Sequence, residues 1–258
     1  MAIDPTARVA EGARIGDDVE IGPYCLVGPQ TEIKSGVRLV AHVNVIGVTA
    51  IGEGTVVYPF ASLGTPPQSV HYRGSATRLV IGARCEVREG VTMNTGTEGG
   101  GGMTRVGERC LFMVGSHVGH DCQVGSDVTL ANNVVLGGHV SVGDRTFLGG
   151  HAAVHQFVRI GAHSYIGGGT TITQDVLPFS LTSAERDTHA FGLNKVGLER
   201  RGFSRERIRK IHHAYKILLA SKLNTSQALA KLKAESNRSE DVEMLIRFVE
   251  TAERGVIK

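Results

Sequence analysis

Aliphatic residues recur at every sixth position along most of this chain. Val9, Ile15, Ile21, Val27, Ile33, Leu39, Val45, Ile51, Val57 and Leu63 keep the step, and it returns as Ile81, Val87 and Met93. It then runs unbroken from Val106 and Phe112 to Ile166 and Ile172, often with Gly as the next residue. Six matches neither the 3.6 of a helix nor the 2 of a simple strand, so the unit is a short strand plus a turn, repeated. Three units close one triangular coil whose aliphatic residues point inward. The corner is expected at the small or Gly-containing step, where unusual backbone angles cost little. Coils of this kind stack at the strand spacing of about 4.8 Å as parallel ladders.

Composition agrees with small repeated units. Gly makes up 34 of 258 residues, aromatics are 5% and Trp is absent, so the core is aliphatic and regular. The pattern resembles the left-handed parallel β-helix of the hexapeptide-repeat transferases, and this all-β fold is expected over residues 1–186. Two interruptions, 64–80 and 94–105, are expected as loops, the usual place for binding residues on a repeat scaffold. "EGGGG" within the second lacks the Lys-Ser/Thr and helix start of a phosphate-binding loop and reads as flexible linker. Helical spacing takes over afterwards, with Ile208, Ile211, Tyr215 and Leu218 on one face, and a small α-helical domain is expected over 187–258. Ser204, Thr225 or Ser226, and Ser239 are the expected N-caps and Gly255 a stop.

Several classes are disfavoured. No window holds the 18 apolar residues of a membrane span, and the amino terminus has no leader pattern, so a cytoplasmic protein without membrane insertion is expected. Cys25, Cys85, Cys110 and Cys122 form no C-x-x-C pair, which argues against a zinc ribbon or redox dithiol and for isolated core thiols. The net charge of +3 is small, but residues 195–222 carry nine basic side chains, Lys195, Arg200, Arg201, Arg205, Arg207, Arg209, Lys210, Lys216 and Lys222, against Glu199 and Glu206. Such a face favours an acidic partner. DNA stays open, but no nucleic-acid recognition motif accompanies it and aromatics are few; an acidic carrier protein or a phosphorylated ligand fits equally well.

The chemistry concentrates in "SHVGHDCQVG", residues 116–125. Val118, Leu136 and Val154 are 18 apart and should stack, which brings His117, His120, Asp121, Gly138, His139, His155 and Gln156 to one patch about two coil spacings tall. Three readings compete: histidines that merely fill surface or core positions, a metal site that needs several imidazoles around one point at about 2.0–2.1 Å, and an oriented general base. For the last, His120 would accept a proton, Asp121 would fix its tautomer, and the Gly138 N–H would meet a developing oxyanion. A β-helix that binds metal through these histidines, or scaffolds a partner, stays open beside the enzyme reading.

The motifs "SHVGHDC", "LGGHVSVGD", "AVHQFVRIGAHS" and "GLERRGFSRERI" together resemble the acyl-(acyl-carrier-protein)–UDP-N-acetylglucosamine O-acyltransferase family along nearly the whole chain. The resemblance implies a homotrimer with sites between neighbouring β-helices. It implies transfer of a 3-hydroxyacyl group from acyl carrier protein to the 3-position of a UDP-sugar, the first step of lipid A synthesis. No cofactor or metal is implied. His120 would be the base, Asp121 its support and Gly138 the oxyanion donor. Gln68, Ser69, His71, His117, His139, His155 and Gln156 would contact sugar and acyl chain, and Asn194, Arg200 and Arg201 the nucleotide or phosphopantetheine phosphates. The chain departs from the family at Ser69 (usually Asp), His71 (usually Lys), Asn94-Thr95 (usually His-Arg) and Val196 (usually Glu). "TSAERDTHAF" is also of altered length where acyl-chain length would be selected. The acceptor is therefore expected to be UDP-N-acetylglucosamine or its 3-amino analogue.

Overall fold

The computed structural model describes residues 1–183, 189–221, 223–253 and 255–257, with backbone only for 183 and 189–191. Short parallel strands, mostly of two residues, form three sheets of eleven, nine and eight strands among the described residues. Each strand pairs with the strand one coil on, as in Ala2↔Glu20, Arg8↔Leu26 and Arg14↔Glu32, so three faces wind into a left-handed prism. The expected stack is present: Val118 pairs with Leu136, and Leu136 with Val154. Where the loops intervene the register is kept, with Arg78–Ile81 laddered to Met103–Val106.

Two side chains per hexapeptide enter the core. One is the aliphatic residue; the other, four positions on, is small. Val19, Val37, Thr55, Val91, Ser116, Val128 and Ser164 occupy that second slot and are no more than 1% exposed. All four cysteines sit there too, four residues after Ile21, Ile81, Val106 and Val118. They are free and buried, as expected. Cys85, Cys110 and Cys122 donate to the carbonyls of Gly107, Gly125 and Gly137 at 3.2, 3.1 and 3.1 Å, and burial pushes the Cys122 thiol up to about 12. Full burial of each Val, Leu or Ile contributes about 1.5–3 kcal/mol, repeated at every level of the prism.

The corner differs from expectation. Its left-handed residue is three after the aliphatic and is not restricted to glycine: beside Gly12, Gly36, Gly54, Gly90, Gly115 and Gly169, fifteen non-glycine residues, including Tyr24, Arg109, Asp121, His139 and Phe157, have φ between 52° and 69°. The Gly beside the aliphatic serves close approach instead. A Cβ at Gly22 would lie 1.8 Å from the Val40 carbonyl oxygen of the next coil. Asp, Asn and His tolerate the left-handed region best, but Arg and Phe accept it here because neighbouring coils dictate the backbone, at a cost of about 1–2 kcal/mol per residue.

The boundary expected near 186 falls among residues outside those described, as do Lys222 and much of the 182–191 segment. Sheet structure continues past the period: Ser180–Ser183 joins the first face in parallel and His189–Leu193 pairs with it antiparallel. Among the described residues four helices follow, α1 (Lys195–Arg200), α2 (Arg205–Tyr215, passing into a π-helical turn at Lys216–Ala220), α3 (Thr225–Ala234) and α4 (Glu240–Glu250). Ile208, Ile211, Tyr215 and Leu218 are buried together with Leu177 and Phe179 from the end of the prism. Ser204 caps α2 through the Arg207 N–H. The cap of α3 is Asn224, not Thr225 or Ser226, in a reciprocal box with Gln227. Ser239 precedes α4 without a side-chain cap bond, and α4 stops at Thr251, before Gly255. Arg159 fastens the unit down: its guanidinium meets Asp175 at 2.9 Å, the Thr251 hydroxyl at 2.8 Å and the Phe248 carbonyl at 3.0 Å.

Candidate active site

The edge between the second and third faces carries the site. His120 and Asp121 turn the corner after the strand His117–Val118, and the in-register corners one and two coils on present Gly138-His139 and Gln156-Phe157. Asp121 and His139 are both left-handed, at φ 61° and 62°. That conformation, forced by the coil, swings the carboxylate and the imidazole off the ladder.

Asp121 is buried, and its oxygens are fully engaged. They accept from the Thr97 N–H at 2.8 and 3.0 Å, from the Thr97 hydroxyl at 2.6 Å and from His120 Nδ1 at 2.8 Å. The Asp121 N–H donates to the Thr104 hydroxyl at 2.8 Å. Because an ionised carboxylate can only accept, the His120 proton sits on Nδ1 and Nε2 keeps its lone pair. Thr97 and Thr104 belong to the 94–105 segment, which is no linker. Thr97 caps a short 3₁₀ turn, Glu98–Gly100, and the loop is seated on the carboxylate. Polar groups of the corner supply contacts that the glycines could not, so the loop is ordered by Asp121.

Gly138 lies directly under the imidazole. A Cβ there would be 2.5 Å from His120 Nε2 and Cε1, so only glycine lets the ring take this position. The Gly138 carbonyl accepts from Phe157 and the His139 N–H donates to His120, while the Gly138 N–H has no protein partner among the described residues. His139 stands edge-on to His120 at 5.1 Å and stacks on Phe157 at 4.3 Å. Burial lowers the His139 pKa, with Asp121 opposing and His120 adding to the shift. His117 bonds through Nδ1 to the Thr92 hydroxyl at 2.7 Å, and burial, then His120, lowers its pKa. Both shifts favour the neutral imidazole beside the base.

A cavity of about 410 Å³ opens over His120, lined also by Ser69, His71, Tyr72, Arg73, Ser75, Thr97, Glu98, Gly99, His139 and Phe157. Of the expected contacts it gathers Ser69, His71, His120 and His139. Gln68, His117, His155 and Gln156 are not among its lining residues; His155 and Gln156 are exposed one coil above Gly138. The departures Asn94 and Thr95 face inward. Asn94 Nδ2 donates to the Thr65 hydroxyl at 2.9 Å and the Pro66 carbonyl at 3.1 Å, and Thr77 donates to Thr95 at 3.1 Å, so this pair anchors the first loop. Asn194, Arg200 and Arg201 lie elsewhere. With Phe147, Tyr165, Leu181, Leu193, Lys195 and Val196 they line a groove of about 600 Å³ beside the helical cap. Asn194 caps α1 and donates to the His163 carbonyl at 3.1 Å. Sequence reasoning missed Thr97, Thr104, Tyr72, Arg73 and Phe157; the only local signal was the Thr97-Glu98 cap.

His120, Asp121 and His139 also form a group with one ligand atom each within 4.8 Å. The donor set fits a metal poorly. His139 Nε2 is 3.7 Å from Asp121 Oδ2, and that oxygen already accepts from His120 and from the Thr97 N–H and hydroxyl. A zinc ligand would have to give up those bonds and approach to about 2.0–2.2 Å.

Comparison with known proteins agrees with this geometry. The family model for UDP N-acetylglucosamine O-acyltransferase, domain 2, matches residues 175–257, and the bacterial transferase hexapeptide model matches 103–138. The chain is 54% identical over 248 residues to the acyl-(acyl-carrier-protein)–UDP-N-acetylglucosamine O-acyltransferase of Azorhizobium caulinodans, covering 96% of this chain and 91% of that one. It is 45% identical to the enzyme of the same name from Syntrophobacter fumaroxidans, over all of both chains. The crystal structure of a UDP-N-acetylglucosamine acyltransferase from Bacteroides fragilis superposes with TM-score 0.96 at 35% identity, over 99% of this chain and all of that one. Fold, full-length identity and family models coincide, and the chain belongs to the acyl-(acyl-carrier-protein)–UDP-N-acetylglucosamine O-acyltransferase family.

Proposed function

We propose that this protein transfers a 3-hydroxyacyl group from the thioester of acyl carrier protein to the 3-position of UDP-N-acetylglucosamine, the first step of lipid A synthesis, with His120 as general base. The observation that carries the reading is the 2.8 Å His120–Asp121 pair set over an unpartnered Gly138 N–H and facing a cavity. His120 Nε2 takes the proton of the acceptor group as its oxygen, or nitrogen in a 3-amino sugar, attacks the thioester carbon. The Gly138 N–H stabilises the tetrahedral oxyanion. Collapse expels the carrier thiolate, which takes the proton back from the imidazolium and leaves as thiol. Asp121 holds the Nδ1 tautomer and favours the transient cation. Ser69 and His71 offer neutral or switchable hydrogen-bond groups where the family has a carboxylate and an ammonium, which suits either the hydroxyl or the amino acceptor.

The second group of expected contacts, Asn194, Arg200 and Arg201, sits at a separate groove of the same chain. We place it in the same working site by assembly: in a homotrimer one chain's His120 cavity would face the neighbour's cap groove. The basic helical face is read as the docking surface for the acidic carrier. We read the reaction as cytoplasmic; among the described residues no helix is long and apolar enough to cross a membrane.

Purified protein is incubated with 3-hydroxyacyl carrier proteins of several chain lengths against UDP-N-acetylglucosamine and its 3-amino analogue, and products are weighed by mass spectrometry. Acylation of one sugar is expected; acylation of neither overturns the reading. Light scattering gives the mass in solution, and a monomeric mass sinks the shared-site assignment.

A further inference from the structure

Two segments leave the prism and return to it, and both rim the cavity over His120. Hydrogen bonds tie the first down at its ends. Asn94 holds the Thr65 hydroxyl and the Pro66 carbonyl on one side, and Thr77, itself buried, donates to Thr95 on the other. Between these anchors the tip bonds only to itself among the described residues. The Tyr72 N–H donates to the Ser69 carbonyl at 3.2 Å, the His71 N–H to the Ser69 hydroxyl at 3.3 Å and the Tyr72 hydroxyl to the Ser75 carbonyl at 2.8 Å. Arg73 Nη1 donates to the Val70 and Tyr72 carbonyls at 2.8 and 3.1 Å. Residues 69–75 thus form a self-contained turn carried on two anchored arms. The second segment is a fixed post, since Thr97 bonds both oxygens of Asp121 and caps the turn Glu98–Gly100.

The cavity lining holds two side chains of fixed charge, and they have opposite sign. Arg73 stands on the tip of the first segment and Glu98 on the post. Both are exposed, and neither makes an ion pair among the described residues, whereas Arg84, Arg88 and Arg109 on the prism pair with Glu108, Glu86 and Asp127. Arg73 Nε and Nη2 and the Glu98 carboxylate have no hydrogen-bond partner among the described residues. Glycine gives both segments room: Gly74, next to Arg73, has φ 89°, and a Cβ at Gly74 or Gly99 would meet nothing within 4 Å. An exposed ion pair in water contributes little, so the empty mouth gains little by closing. A ligand that fills the cavity displaces that water, the effective dielectric falls, and the attraction between the two charges grows.

We propose that Arg73 and Glu98 are positioning residues of the transfer reaction, which meet across the mouth of the His120 cavity once the acceptor is seated and close it against water. The inference rests on the transfer reading above. Neither residue is among those to which the family resemblance gives a role. Closure matters because His120 activates any hydroxyl held at Nε2. Water attacking the same thioester carbon gives the free 3-hydroxy acid and the carrier thiol in place of the acylated sugar, and a closed mouth keeps that water out. On closing, Arg73 exchanges its bonds to the Val70 and Tyr72 carbonyls for the Glu98 carboxylate. The tip moves as a unit, and the post holds because Thr97, directly before Glu98, is seated on Asp121.

Exchange of the charges in the full-length enzyme tests the pair. Arg73→Glu, Glu98→Arg and the double variant are each given 3-hydroxyacyl carrier protein and whichever of UDP-N-acetylglucosamine and its 3-amino analogue the wild type acylates. Acylated sugar and free 3-hydroxy acid are quantified from the same reaction. Each single exchange sets like charges at the mouth and is expected to raise the ratio of free acid to acylated sugar by about tenfold, within the usual coupling of paired side chains, and the double exchange to restore it. Such recovery is no effect of folding, because the double variant carries both lesions, including the lost bonds to Val70 and Tyr72. Arg73→Lys keeps the charge and should stay near the wild-type ratio. Single exchanges that leave the ratio unchanged, or effects that merely add in the double variant, overturn the proposal. So does an Arg73→Glu effect confined to the acceptor KM and not shared by Glu98→Arg, which would make Arg73 a substrate contact alone. Wild-type enzyme that acylates neither sugar takes the transfer reading down with the pair, whereas transfer by the wild type without coupling between the exchanges removes only the pair.

Discussion

Two edges of the prism share a backbone and differ in everything else. On one, Tyr24, His42 and Phe60 follow their aliphatic residues by three, take φ 57°, 52° and 66°, and stack ring on ring at 5.0 and 5.2 Å. On the other, Asp121, His139 and Phe157 hold the same place at 61°, 62° and 66°, and His139 stacks on Phe157 at 4.3 Å. Tyr24 and Phe60 are 61% and 67% exposed; Asp121 is 4%. The stack of coils alone gives an inert row of rings. Reactivity appears where a segment leaves the stack and returns over the corner, because the Thr97 N–H and hydroxyl make it possible to bury a carboxylate beside an imidazole. A buried charge without such bonds would be strongly destabilising.

The comparison breaks first at His120. His120→Ala is expected to lower transfer by about 10²–10⁴-fold, the usual worth of a positioned base, with the fold retained. Wild-type turnover in this variant would remove His120 from the role. Gly138→Ala forces a methyl against the ring at 2.5 Å and should cost about 10²-fold in kcat with KM nearly unchanged, since a displacement of about 1 Å suffices for that. An unaltered kcat would show that the ring position is not critical. Thr97→Val keeps the backbone bond to Asp121 and loses the hydroxyl bond; bonds to charged groups contribute about 1.5–3 kcal/mol, so a rate loss of about tenfold is expected, with faster proteolysis of the loop near Glu98. A rate loss without loop release would separate the two roles assigned to Thr97.

A third edge sharpens the contrast through pH. His163 titrates normally at 6.5 when unfolded and near 4 when folded, so the unfolded chain binds the extra proton between these values. The stability tied to neutral His163 is therefore complete above pH 6.5 and is lost as pH falls toward 4. In chloride buffer, His163→Phe should flatten this part of the melting-temperature profile relative to wild type; parallel profiles would contradict it. The smallest effect is expected on the inert edge. His42→Asp places a carboxylate on an exposed corner with no loop above it, and stability should move by no more than about 0.5 kcal/mol with transfer unchanged.

What could be read in the residues follows from which positions obey the period. The aliphatic rungs, the stacking of Val118, Leu136 and Val154, the four buried thiols and the buried face of α2 all follow from spacing, because coil and helix repeat strictly. His120, Asp121 and Gly138 met for the same reason: they lie on neighbouring rungs. The partners that leave the period were not legible. Thr97 reaches Asp121 through a loop whose path depends on the contact itself, and a glycine run reads as slack when nothing local says it is seated. Asn94 and Thr95 looked like altered ligands, yet their hydrogen bonds run to Thr65, Pro66 and Thr77 at the two ends of the first loop. The corner conformation was misassigned because glycine serves two needs, left-handed angles and close approach, and only the second operates beside the rungs.

The ladder also sets a scale. Every level of the prism adds one strand spacing of about 4.8 Å, and no fractional level exists. Corners on one edge, such as Asp121, His139 and Phe157, are thus separated by whole steps along the axis. Insertion or removal of one 18-residue coil between Val124 and Ile160 would shift the cap by a whole step while every remaining corner kept its shape. Descendants of such a chain explore distance in jumps and chemistry one side chain at a time, which lets the geometry of the base persist while the reach between sites is re-cut.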